Sequence, residues 1–161
     1  IRFDNPIDKI TEGEWNTVLD TMLKGSFNCC AEAQKDMVRK GYGKIVNMSS
    51  AVPNSLGKRT QISYSTGSEG IKGFTKSLAI ELGSYNINVN CVAPEFIDTE
   101  MTRNAVRSEG MYLDDFAKIA SSIIALKRMG TAEDVANVVR FLVSEESSFV
   151  SGQILYVRGG P

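Results

Sequence analysis

Three times along this chain a stretch of helical period gives way to a short run rich in β-branched residues, and that alternation narrows the possible folds more than any other feature. Thr11 followed by Glu14 is a capping-box pattern. From Glu12 to about Arg39, Trp15, Val18, Leu19, Met22, Leu23, Phe27 and Cys30 recur at helical spacing, predicting one long helix bent near Gly25. "GYGKIVNMSS" then supplies a glycine-bounded turn and a strand from Lys44 to Met48 whose C-terminal end carries serines. The stretch from Ala51 to Ile62, rich in Pro, Asn, Gly and Ser, reads as a loop. Helical period returns from Ser63 to about Ser84 through Ile71, Phe74, Leu78 and Leu82.

"NINVNCVAP" predicts a second strand that stops at Pro94, which has no N–H for a ladder. Short amphipathic pieces fill Met101 to Lys127. Thr131, Glu133 and Asp134 open a helix to about Val143, with Val135, Val138, Val139 and Leu142 facing inward. "SGQILYVRGG" reads as a third strand. Helices alternating with strands imply right-handed crossovers, a parallel sheet of about three strands and long helices on both faces: an α/β, doubly wound, Rossmann-like arrangement.

The 161 residues, 42% of them apolar, suit one domain. Lys and Arg number 18 against 19 Asp and Glu, and no long basic run occurs, so neither nucleic acid nor an anionic membrane surface is an expected partner. No apolar stretch approaches the roughly 20 residues that span a bilayer, and residues 1–15 lack the layout of a signal peptide; a cytoplasmic location is expected. The chain has no histidine, which removes Ser-His-Asp and Cys-His triads and most zinc sites. Cys29, Cys30 and Cys91 show no CxxC spacing and read as buried thiols, with no metal site.

The segments "KIVNMSS", "SYSTGSEGIKGFTKSLAIEL", "INVNCVAPEFIDTEM" and "LKRMGTAEDVANVVRFLVSEESSFVSGQILYVRGG" together resemble the short-chain dehydrogenase/reductase family over essentially the whole chain. Among its members the likeness is greatest to those that reduce 3-oxoacyl groups on acyl carrier protein. The resemblance implies an oxidoreductase that uses NAD or NADP and acts on a small-molecule ketone or secondary alcohol. It implies Ser50 and Tyr64 as catalytic residues, and Tyr64, Pro94, Ile97 and Thr99 as cofactor contacts. Their chemistry is coherent. Hydride transfer to a carbonyl leaves an alkoxide that a phenol can protonate when a nearby cation assists, while a serine hydroxyl holds the same oxygen. Taken alone, a Tyr in "SYS" reads as a half-buried aromatic and a strand-end Ser as a cap; their order and context favour the catalytic reading.

Four positions qualify the resemblance. The lysine of the family's YxxxK is Ser68, which carries no charge to assist the phenol. Lys72 lies a turn farther on and is expected at the surface. Met22 stands where the family places an asparagine that relays protons through water. Glu95 replaces the glycine of the Pro-Gly loop, bringing a negative charge near the cofactor. The family also begins with a strand, a glycine-rich turn and a helix that bind the dinucleotide phosphates. Residues 1–161 are therefore expected to form a single partial Rossmann-like domain that lacks this nucleotide-binding half, as a fragment or as part of a longer protein. A homodimer or homotetramer is expected through the two long helices. The alternative to an enzyme is a non-catalytic relative that acts in assembly.

Overall fold

The computed structural model describes residues 1–51 and 60–161. Residues 52–59, most of the stretch read as a loop, lie outside the described residues. The first helical region is α1 (Glu12–Leu19), a π-helical turn (Asp20–Lys24) and α2 (Gly25–Lys40). Thr11 and Glu14 form the reciprocal cap anticipated from their spacing. Instead of a simple bend, one extra residue is accommodated in the π turn, which ends as Gly25 N–H donates to Asp20 O. Ser26 then donates to Met22 O at 2.7 Å, occupying one of the carbonyls displaced there. Gly41, with φ of 65°, ends α2.

Three strands follow in alternation with helices: β1 (Gly43–Met48), α3 (Ile62–Leu82), β2 (Ile87–Pro94), α4 (Glu100–Ser108), α5 (Leu113–Ile123), α6 (Ala132–Leu142) and β3 (Ile154–Val157). The sheet order is β1-β2-β3 and both pairings are parallel, with Asn47 opposite Cys91 and Cys91 opposite Ile154. The expected α/β architecture is present.

Side-chain alternation along the strands builds a core on each face. Ile87 and Val89 pack with Ala79, Leu82, Met37 and Val38 beneath α2 and α3. Val92, Leu155 and Val157 pack with Val135, Val138, Val139 and Leu142 of α6. Asn90, on the α6 side, is fully buried; its Nδ2 donates to Val150 O at 2.8 Å and its Oδ1 accepts from Gln153 N at 3.0 Å. On the other face Asn47 donates to Thr75 Oγ1 at 3.0 Å, tying β1 to α3. Among the described residues, no helix is long and apolar enough to cross a membrane.

The cysteine reading needs correction at one position. Cys30 and Cys91 are buried, but Cys29 is exposed. Successive helical residues are about 100° apart, so only one of an adjacent pair can face the sheet. Burial pushes the Cys91 thiol up to about 11, and burial together with the neighbouring Cys29 raises that of Cys30. Because the thiolate is the reacting form, iodoacetamide at neutral pH should label Cys29 rapidly, and Cys30 and Cys91 only after denaturation. Peptide mass spectrometry reads this directly; rapid labelling of Cys91 would contradict the packing of β2.

Candidate functional site

The C-terminal ends of β1 and β2 and the N-terminus of α3 meet at a cavity of about 700 Å³. Pairing with β2 continues past β1: Ser49 N donates to Val92 O at 2.8 Å and Ala51 N to Pro94 O at 3.1 Å. This extension fixes Ser50 at the sheet end with 3% of its surface exposed. Tyr64 lies in the first turn of α3, half-buried. Ser50, Gln61 and Tyr64 line the cavity, so the two residues singled out for catalysis share one cavity. Ligands in open parallel sheets sit at this end, beyond the carboxyl ends of the strands.

Pro94, Ile97 and Thr99 line the same cavity. The loop that carries them is held by a parallel bridge between Ile97 and Gly130, with Asp98 N donating to Gly130 O at 2.9 Å and Gly130 N to Phe96 O at 3.0 Å. A side chain at position 130 would lie 2.5 Å from Ile97 Cδ1, so glycine lets the strands of this bridge approach. Thr99 caps α4 by accepting from Thr102 N, and Thr102 Oγ1 donates to Ile97 O at 2.7 Å. The loop is thereby closed on itself, with its apolar residues toward the cavity.

Ser68 is wholly buried, its backbone O accepting from Ser49 Oγ at 2.7 Å. Met22 packs against the same stretch of α3: a Cβ on Gly67 would come within 2.9 Å of its sulfur. An apolar side chain thus abuts α3 next to Ser68, where the resemblance puts a hydrophilic relay. The surface expectation for Lys72 is corrected, since only 7% of its side chain is exposed. It lies between α3 and the sheet, 2.7 Å from Glu69 Oε1 and 5.0 Å from the centre of the Tyr156 ring, two contacts that offset its desolvation. Position 72 thus faces Tyr156 of β3 rather than water.

Glu95 is also buried, with 4% of its side chain exposed, and lines the cavity. Arg158 faces it at 3.9 Å, and that guanidinium rests 5.3 Å from the Tyr156 ring centre. Arg158 and Gln61 escaped the sequence reading, as did the apolar wall formed by Met101, Val106, Met111, Phe116, Ile119 and Ile123. Amphipathic spacing in α4 and α5 was the available signal for that wall. Gln61 Oε1, Ser63 Oγ and Ser68 Oγ are buried without a hydrogen-bond partner among the described residues. Of these three residues only Gln61 lines the cavity.

Comparison with known proteins gives the chain's relatives. The family model described as enoyl-(acyl carrier protein) reductase matches residues 2–161. The chain is 39% identical over 157 residues to 3-oxoacyl-[acyl-carrier-protein] reductase FabG of Chlamydia muridarum and 40% identical to that of Staphylococcus epidermidis. These alignments cover 98% of this chain and 60% and 61% of the relatives, so the chain spans about three fifths of their length. The structure of a gluconate 5-dehydrogenase from Burkholderia cenocepacia, in complex with NADP and tartrate, superposes with a TM-score of 0.88 at 28% identity, covering 99% of this chain and 60% of that one. ElxO with NADP bound superposes at 0.86 with 30% identity, covering 99% and 62%.

Proposed function

The chain belongs to the short-chain dehydrogenase/reductase family, and on that premise we propose that the protein containing it is an NAD(P)-dependent oxidoreductase that interconverts a ketone and a secondary alcohol. That Ser50 and Tyr64 both line one cavity is the observation that carries this reading. Ser50 donates its hydroxyl to the carbonyl oxygen and holds it as charge develops, and Tyr64 delivers the proton to that oxygen. Pro94, Ile97 and Thr99, together with Tyr64, hold the nicotinamide end of the cofactor, and Gln61, which lines the same cavity, is a polar group beside them. When bound, the cofactor supplies or accepts the hydride.

A 3-oxoacyl thioester is the substrate class that this cavity favours. Met101, Val106, Met111, Phe116, Ile119 and Ile123 form a wall that would desolvate an acyl chain favourably and leave the hydroxyls of a polyol unpaired. Ser68 favours a second reading, in which catalysis is weak and the chain serves assembly: the cation expected to assist Tyr64 is missing. Phe27 on α2 and Ile80 on α3 are 55% and 85% exposed, apolar positions that a second subunit would cover in a homodimer or homotetramer.

Steady-state oxidation of NADPH and NADH by the full-length protein with a short 3-oxoacyl thioester tests the proposal. Turnover above a no-enzyme control is expected, and Ser68→Lys should raise kcat by about tenfold or more. Turnover in neither protein, with both folded by circular dichroism, would favour the assembly reading.

A further inference from the structure

We propose that Gln61 reads the thiol arm of the substrate, its side-chain oxygen accepting a hydrogen bond from the amide N–H that follows the sulfur in a carrier-borne acyl thioester. The inference rests on the hydride-transfer reading above. Gln61 is 2% exposed, and its Oε1 is buried without a hydrogen-bond partner. Ser63 Oγ, Ser68 Oγ and Arg158 Nε are in the same condition among the described residues, but of these four residues only Gln61 lines the cavity. Two hydroxyls that line it are already engaged: Ser49 Oγ donates to Ser68 O and Thr102 Oγ1 to Ile97 O, each at 2.7 Å. A buried acceptor left unpaired is destabilising, and a ligand that supplies the donor relieves this on binding.

Local structure makes no other use of this side chain. Gln61 occupies the N-cap position of α3, where a side-chain oxygen ordinarily accepts from the first N–H groups of the helix, yet it makes no such bond. Its backbone does open the helix, Ser65 N donating to Gln61 O at 2.8 Å. Tyr64 follows about one helical turn later, so both side chains enter the cavity from the start of α3. The nicotinamide end belongs to the loop after β2 in the proposed function, whereas Gln61 stands with the residue that meets the reacting oxygen. With the acyl chain against the apolar wall of α4 and α5, the thiol arm is the part of the substrate that continues on the other side of the reacting carbonyl. A 3-oxoacyl chain offers no N–H or O–H of its own. The thiols that carry acyl groups end in an amidoethyl arm, whose N–H is the first donor along the substrate and suits a carboxamide oxygen.

Acetamidoethyl and acetoxyethyl thioesters of one 3-oxoacyl group differ only in that an ester oxygen replaces the amide N–H. Steady-state kcat/KM for both, with the full-length protein at saturating cofactor, measures the preference for the donor. The unaltered protein should favour the amide by about tenfold or more, because the ester leaves Oε1 unpaired and sets a second acceptor against it. Gln61→Met, close in size but without the oxygen, should bring the preference to within about twofold, and Gln61→Ala should agree. Because each preference is a ratio within one protein, partial loss of folding cancels from it. If Gln61 only packs the start of α3, both variants slow the two thioesters by the same factor; that result overturns the inference, as does equal reduction of both thioesters by the unaltered protein. A preference that survives in Gln61→Met while cofactor affinity falls gives the acceptor to the cofactor and overturns it too. In each of these cases the oxidoreductase reading stands. Reduction of neither thioester by the unaltered protein would overturn both.

Discussion

Replacing Tyr64 by Phe is expected to lower kcat/KM for ketone reduction by about 100-fold or more, the usual range for losing a positioned acid. Tyr64 lies at the helix start beside the cavity that Ser50 shares, and the substitution removes one oxygen while keeping the ring. The protein should remain folded, with stability within about 0.5 kcal/mol of the parent, as for substitutions away from buried networks. Steady-state rates at saturating cofactor and a urea melt of each protein check the two halves of the expectation. Equal activity in Tyr64→Phe would remove the residue from the chemistry.

The second large effect concerns stability. Asn90→Leu should cost about 2–4 kcal/mol, since burial of the side chain is complete and the lost amide leaves Gln153 N without its partner and Val150 O with Asn88 as its remaining donor. These two bonds hold the approach to β3 against β2, so the loss falls on the strand pair that also carries Arg158. Asn88 makes a similar-looking contact, donating to Ser148 O and Val150 O, but is only partly buried. Water can replace it there, and Asn88→Ala should cost about 1 kcal/mol or less. Urea denaturation of both variants measures the contrast. A change below about 1 kcal/mol in Asn90→Leu would mean that the segment before β3 is held by other contacts.

The elements that could be read from the sequence are those whose signals are local. Thr11 and Glu14 reach each other across one helical turn, and Val135, Val138, Val139 and Leu142 repeat at the helical period, so both cap and core face were legible. Ser50 and Tyr64 were singled out through the family resemblance, not by their local pattern, and both line the one cavity. What could not be read depended on partners far along the chain. The burial of Lys72 requires Tyr156, and that of Glu95 involves Arg158; neither pairing leaves a spacing signal. The π turn at Asp20–Lys24 was half legible: a bend was expected near Gly25, but not its form. Asn90 read as a strand residue, and only the return of the chain at Val150 and Gln153 explains an amide in the core.

In the proposed function, hydride passes to a carbonyl at the cavity that Ser50 and Tyr64 line. That transfer is tested most directly with reduced cofactor carrying two deuterium atoms at the reactive carbon of the nicotinamide, incubated with a 3-oxoacyl thioester and the full-length protein, with the product analysed by mass spectrometry. The account predicts one deuterium on the carbinol carbon of the 3-hydroxyacyl product, formed far more slowly by the Tyr64→Phe variant. An unlabelled alcohol, or no alcohol from a folded protein that binds the cofactor, would contradict it.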